Sequence, residues 1–286
     1  MKTKLYYFIN IIVLAAAAVC LGSMVIPVSK YLYGGSKPIL FLMVTLVLTM
    51  MVYCMKAIRL YLIVMETRIG YKRFFKLYIK TTLVNITLPL KTGELFRCYC
   101  YGNELNNYKL GVLCVLVDRY FDSIPLVLLL LGLIVITNST IVSVAVVVML
   151  FILFLTIVFI IFPSSYTYLN RFCITNVESR NGITLLRFLD NLNNWYEYIR
   201  GLIKGRGTVL LVLSAMAWLL EYAAIFFLSL YIGRQFLLND FIVYMNSVFT
   251  GGDNLYMSLY IAISGLIFVV LSGVIYGYTV MKRGDK

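Results

Sequence analysis

The chain has 286 residues, 62% of them hydrophobic and only 13% charged, with a mean hydropathy of +0.93. Soluble domains carry about 25% charged residues, so this composition excludes a soluble protein and points to a polytopic membrane protein. The net charge of +13 would suit nucleic acid, but all but four of the 25 Lys and Arg fall in segments assigned to the cytoplasmic side, the exceptions being Lys30, Lys37, Arg119 and Arg234. Positive-inside bias accounts for that distribution, and no nucleic-acid partner is expected.

Lys2 and Lys4 precede an apolar run from Leu5 to Ile26, which is too long for a typical signal-peptide core and has only a poor small-residue cleavage site around Cys20. It reads as the first spanning helix, ending at Pro27 and Ser29. Pro38 opens a second helix that reaches about Met65. Lys56 and Arg59, in its last third, are expected to snorkel to the headgroups. Glu66 to Lys80 is basic and amphipathic. It is either an interfacial helix on an anionic leaflet or a cytoplasmic extension of a membrane helix.

Thr81 to Leu90 is apolar and closed by Pro89, but a spanning helix needs roughly 20 residues, so a re-entrant segment is the natural assignment. Irregular backbone at membrane depth is tolerated only where protein or a water-filled cavity covers it. A cavity is therefore expected. Leu110 to Ile136 is the third long apolar run, interrupted by Asp118, Arg119 and Asp122 with Pro125 beyond; Thr140 to Phe162 is a clean fourth helix. Pro163 to Gly207 reads as a polar cytoplasmic segment whose helical centre, Leu185 to Ile203, lies along the membrane surface. Thr208 to Tyr231 is the fifth helix and carries Glu221, Gly233 to Met257 is a polar external stretch, and Ser258 to Met281 is the sixth helix.

The expected fold is thus all-α, with about six spanning helices, a re-entrant segment and interfacial helices in one domain over residues 1–286. Both termini face the cytoplasm and the location is the cell (plasma) membrane. The six cysteines map to the membrane or the cytoplasmic side, so no disulfide framework is expected. Cys98 and Cys100 lack a second ligand pair and the chain has no histidine, so neither a metal nor another cofactor is expected.

Charges at membrane depth are expensive and functional by default. Two clusters stand out, Glu94 with Arg97 and Asp118 with Arg119 and Asp122. On helices the pairs at i,i+3 could neutralise each other internally. Alternatively Arg97 meets the aspartates and Glu94 meets Arg119, stapling the re-entrant segment to the third helix. The functional reading adds a phosphate bound by Arg97 and Arg119, helped by Lys91 and by backbone N–H groups around Thr92 and Gly93. Glu221 is either a member of a polar network or a partner for a cation.

The run Asn85-Ile-Thr-Leu-Pro-Leu-Lys-Thr-Gly-Glu-Leu-Phe-Arg97, followed by Val117-Asp-Arg-Tyr-Phe-Asp122, resembles the signature of the lysylphosphatidylglycerol synthase transmembrane-region family, a flippase-like membrane domain. The matching positions are Asn85, Pro89, Gly93, Glu94, Arg97, Asp118, Arg119 and Asp122. The resemblance implies binding or translocation of a phospholipid or a polyprenyl-linked sugar. Lys91, Gly93, Glu94, Arg97, Asp118, Arg119 and Asp122 would serve the headgroup, and Asn85 and Pro89 would shape the re-entrant segment. A second family element ending in Gly-x-x-Glu has a degenerate counterpart at Asn246 to Asp253. Glu221, Gly252 and Asp253 are the candidates for a second half-site.

Two other classes remain. An accessory protein would recruit a partner membrane enzyme through Trp195, Tyr196 and Tyr198. A membrane-embedded glycosyltransferase would use Asp118 or Glu94 as base, but no Asp-x-Asp pair exists to hold a metal and a sugar nucleotide. No catalytic residue is assigned.

Overall fold

The computed structural model describes residues 2–33, 39–67, 69–88, 92–137, 143–176, 180–250 and 254–284. Among the described residues the regular structure is helical throughout, and six helices are long and apolar enough to cross a membrane. The protein is an all-α polytopic membrane protein. Four of its spanning helices are α1 (Lys2–Tyr33), α2 (Ile39–Val64), α5 (Tyr108–Thr137) and α6 (Ser143–Asn176). The others are α8 (Gly207–Ile232) and α10 (Leu255–Gly284); shorter helices fill the intervals.

Pro27 and Pro163, read as helix ends, lie inside helices, as does Pro125. α1 continues past Pro27, α5 carries Pro125 and α6 carries Pro163, which puts 14 residues of α6 beyond the expected stop at Phe162. Neighbouring groups in a membrane bundle re-satisfy the backbone that a proline frees. At 34 residues, α6 is about 50 Å long, well over the roughly 30 Å hydrocarbon thickness. α7 (Arg180–Ile203), the segment expected to lie along the surface, folds back antiparallel along α6. Tyr196 packs on Phe159 and Phe162, and the Tyr166 hydroxyl donates to Asp190 at 3.0 Å. Arg187, Glu197 and Arg200 on α7 stay exposed.

The most extensive packing joins α2 and α8, which run antiparallel. Thr45, Thr49, Ser214, Ala217 and Ala224 are completely buried there, and small residues allow close backbone approach where no hydrophobic force favours helix over lipid. The threonine hydroxyls donate back to Phe41 and Thr45 carbonyls at 2.9 and 2.8 Å, so neither hydroxyl is stranded. α8 ends at Gly233, whose φ of 75° places it in the left-handed region; its N–H donates to Ser229 O at 2.9 Å.

The re-entrant element is fully helical on both arms. α3 (Tyr71–Thr87) absorbs the amphipathic segment and most of Thr81 to Leu90; α4 (Thr92–Glu104) returns from it. α3 exposes Lys72, Arg73 and Lys76 and buries Phe74, Leu77 and Tyr78 among protein neighbours from α2, α4 and α10. The two arms nearly touch at Gly93. A Cβ there would fall on the Asn85 Cα, 2.8 Å from Asn85 N and 2.9 Å from Val84 O. A second close approach, Gly102 against Gly111 with Tyr108 beside them, seats α4 on α5. Asn107 Oδ1 accepts the Lys109 and Leu110 N–H groups at 3.1 and 3.3 Å and caps α5.

The stretch read as a polar external segment contains another short helix, α9 (Leu238–Thr250). Phe241, Tyr244 and Met245 are buried against α5, α8 and α10, with Val248 half-buried on the same face. The bundle therefore holds two short-helix elements, the α3–α4 hairpin and α9.

Candidate functional site

α5 brings Asp118, Arg119 and Asp122 to the centre of the bundle, and three other helices supply their partners. The buried layer is built on a residue expected at the headgroups. Arg59 of α2 is 1% exposed. Its Nε donates to Asp118 Oδ1 at 2.8 Å, and its Nη1 donates to Asp122 and, at 2.8 Å, to Ser214 Oγ. Trp218 Nε1 donates to the Asp122 carbonyl at 2.9 Å. Arg97, arriving on α4, donates to Thr82 Oγ1 at 3.2 Å and stands 3.8 Å from Asp118 Oδ2. Arg59 does not snorkel because two carboxylates at membrane depth offer it a better partner than the headgroups.

A second layer is more open. Arg119 is 3.1 Å from Asp118, 3.4 Å from Asp122 and 3.4 Å from Glu94 of α4. Both the cross-pairing of the hairpin with α5 and the internal pairs within α5 are therefore present. Lys56, the other cation expected to snorkel, meets Glu221 of α8 at 2.7 Å, and the Tyr244 hydroxyl of α9 donates to the same carboxylate at 2.9 Å. Glu221 is thus a cation partner within a polar network. The Lys56 ammonium also stands 5.1 Å above the Trp218 ring.

These groups meet a cavity of about 230 Å³ lined by α1, α2, α3, α4, α5, α8, α9 and α10. Lys56, Asn85, Glu94, Arg119, Asp122 and Glu221 line it. Arg97, Asp118 and Arg59 lie behind that wall. Gly93 sits at the contact between the hairpin arms and also does not line it. Asn85 Oδ1 and the Tyr260 hydroxyl belong to cavity-lining residues and are buried without a hydrogen-bond partner. Pro89 and Lys91, and Gly252 and Asp253 of the second half-site, fall outside the described residues.

Among the described residues, no three His, Cys, Asp or Glu side chains are placed to hold a metal ion. The cavity chemistry is instead that of alternating cations and carboxylates. Lys56 and Arg119 alternate with Glu94, Asp122 and Glu221. The family described as lysylphosphatidylglycerol synthase TM region matches residues 8–252. The chain belongs to that family. The match runs from α1 to just beyond α9, so it includes both short-helix elements and every charged residue of the cavity wall. No curated protein and no solved structure matches the chain. Membership in the lysylphosphatidylglycerol synthase TM region family associates this membrane domain with lipid handling.

Lys56 and Arg59 escaped the sequence reading, although a signal for them existed. Asp118, Asp122, Glu94 and Glu221 are four carboxylates in the apolar body, and Arg97 and Arg119 neutralise only two of them. Lys56 and Arg59, an i,i+3 pair inside an apolar run, are the cations that restore the balance.

Proposed function

We propose that this protein binds a lipid with a phosphate-bearing headgroup, a phospholipid or a lipid-linked sugar, and moves it across the plasma membrane without chemical change. The observation that carries the reading is a charged cavity at membrane depth, bounded by both short-helix elements and lined by partly exposed cations. The side chains of Arg119 and Lys56 are 29% and 20% exposed, whereas Arg59 and Arg97 are 1% and 4%. Arg119 and Lys56 are the headgroup ligands. Asp118, Arg59 and Arg97 hold the wall behind them.

The eight central charges, four cations and four carboxylates, cancel. An incoming phosphate therefore enters by exchange. It replaces Glu94 as the partner of Arg119, since a phosphate offers a guanidinium a charge-assisted, bidentate alternative. Loss of the Glu94–Arg119 contact at 3.4 Å loosens α4 from α5, and the α3–α4 hairpin becomes free to shift about Gly93. Asn85 Oδ1 and the Tyr260 hydroxyl provide partners for hydroxyl groups of a glycerol or sugar headgroup. Exposed Lys72, Arg73 and Lys76 on α3, with Arg187 and Arg200 on α7, mark the cytoplasmic face, and the basic surface of α3 collects the anionic lipid there. Both termini lie on that side.

The test is retention of lipid by the purified protein, measured by native mass spectrometry on wild type, Arg119→Gln and Lys56→Gln. Selective retention of a phosphate-bearing species by wild type, reduced in both folded variants, supports the reading. Equal, unselective retention by all three overturns it and favours the accessory-protein role.

A further inference from the structure

The headgroup cavity leaves open where the apolar chain of the same lipid resides. Two apolar grooves open on the flank of the bundle. The larger, about 460 Å³, lies between α5, α6, α7 and α8 and shares no lining residue with the polar cavity. The smaller, about 260 Å³, lies between α2, α3 and α10 and does share one, Tyr53.

The smaller groove is an aromatic track. Tyr61 packs edge-on against Phe74 at 5.0 Å, Phe74 stacks with Tyr78 at 6.0 Å, and Tyr78 meets Phe268 at 6.4 Å. Phe268 packs at right angles on Tyr53 at 4.8 Å. The opposite side of Tyr53 belongs to the cavity, where the Lys56 ammonium stands 5.6 Å from its ring centre. The outer mouth is open to the lipid side: Met50 is 51% exposed and Ile58 43%. α3, which supplies one wall of the groove, also carries the exposed Lys72 and Lys76. A line of packed rings thus leads from the lipid-facing mouth to Tyr53, which lines both the apolar groove and the charged cavity.

Resting on the headgroup reading above, we infer that the groove between α2, α3 and α10 holds the apolar chain of the phosphate-bearing amphiphile while its headgroup occupies the cavity, with Tyr53 as the partition between them. The occupant is one molecule spanning both compartments. Its chain is an acyl chain or a polyprenyl chain; either is apolar and flexible enough to lie along the rings.

The full chain is reconstituted in phosphatidylcholine vesicles with one of two photoreactive probes, a phosphatidylglycerol with a diazirine in its acyl chain or a polyprenyl phosphate with a diazirine on its chain. A diacylglycerol with the same diazirine acyl chain reports ordinary contact with bilayer lipid. After photolysis, adducts are mapped on peptides. The expected result is labelling of 53–61, 71–79 and 267–271 by one phosphate probe in severalfold excess over diacylglycerol, suppressed by unlabelled competitor and reduced in Arg119→Gln. Which probe gives the excess identifies the chain type. Tyr53→Trp, which enlarges the partition, lowers that excess and leaves diacylglycerol labelling unchanged.

Phosphate-dependent labelling that maps instead to the groove near Phe159 and Tyr196 overturns the chain site and leaves the headgroup reading standing. No phosphate-dependent labelling anywhere, together with unselective lipid retention by wild type, removes both. An excess in the groove that Tyr53→Trp does not change removes Tyr53 from the passage.

Discussion

Arg59 and Arg119 are guanidinium groups that share the same two carboxylates, Asp118 and Asp122, yet they stand in different worlds. The Arg59 side chain is 1% exposed and held by α2, α5 and α8 together; that of Arg119 is 29% exposed and faces a cavity. The difference comes from which helix carries the cation. α2 is clamped against α8 along its length, whereas Arg119 reaches toward Glu94 on a short hairpin arm that Gly93 brings against α3. One layer of charge is closely packed; the other is partly open to a cavity, as the proposed exchange of partners requires. Buried ion pairs contribute little net stability over apolar packing, but breaking one leaves an uncompensated charge at high cost.

The comparison breaks most visibly at Arg59. Arg59→Met strands Asp118 and Asp122 with Arg119 and a distant Arg97, and the expected loss is about 3–5 kcal/mol of stability. The readout is folded yield and thermal midpoint in detergent. Arg59→Lys keeps the charge but not the fork that reaches both aspartates and Ser214, so its loss is smaller. If Arg59→Met is as stable as wild type and only lipid retention changes, the two layers have been assigned the wrong way round.

Gly93→Ala tests the close backbone contact beneath the open layer. Its Cβ meets backbone on Asn85 and Val84, which cannot move as a side chain can, so α3 and α4 must separate. Overpacking of this kind costs about 1–3 kcal/mol. Gly132→Ala and Gly201→Ala, where a Cβ meets nothing within 4 Å, are the controls and are expected to be neutral or stabilising by about 0.5–1 kcal/mol. A Gly93→Ala protein with unchanged melting behaviour would falsify the close contact between the hairpin arms.

How far the sequence anticipated this arrangement depends on the residue. Glu94, Arg97, Asp118, Arg119 and Asp122 were legible because charge inside apolar sequence is conspicuous, but the spacing left internal pairs and cross-pairing equally open, and only the packing of α4 on α5 shows that both occur. Arg59 and Lys56 were hidden because a basic residue near the end of an apolar helix has an ordinary explanation in the headgroups. Their true setting depends on α8, about 155 residues away, which delivers Ser214 to Arg59 and Glu221 to Lys56. α9 was masked by Asn239, Asp240 and Asn246, although Phe241, Tyr244, Met245 and Val248 follow the i, i+3, i+4, i+7 spacing of a helix face. Pro163 misled for a related reason: a proline ends a helix in water more reliably than in a membrane bundle.

Glu94→Gln sharpens the comparison in the opposite direction from the first two substitutions. The Glu94 side chain is 21% exposed and its contact with Arg119 is 3.4 Å, so little stability is at stake, at most about 1 kcal/mol. Under the proposed exchange, the variant nevertheless removes the carboxylate that a phosphate would displace. Retention of the phosphate-bearing lipid is expected to rise above wild type in native mass spectrometry, and transport to slow because the bound state is too stable. A fall in retention would mean that Glu94 contacts the headgroup directly instead of competing with it.

The smallest effect is expected from a cation that belongs to neither layer. Lys80 on α3 donates to Asn10 Oδ1 at 2.5 Å and lies over the Tyr6 and Phe96 rings at 5.1 and 5.4 Å, with no carboxylate in its cage. Burial pushes its ammonium below the ordinary lysine value of 10.5. Because the folded state holds this proton less tightly than the unfolded chain does, unfolding takes up a proton in the window between the lowered value and 10.5. Stability therefore increases with pH across that window. Lys80→Gln retains a donor for Asn10 and removes the titration, so the thermal midpoint of the variant, relative to wild type, is expected to be higher on the neutral side and to converge toward pH 10.5. A difference that does not vary with pH would show that Lys80 acts through its contacts with Tyr6 and Phe96 alone. In either case the effect should be far below that of Arg59, whose charge is fixed by two carboxylates rather than by rings and one amide oxygen.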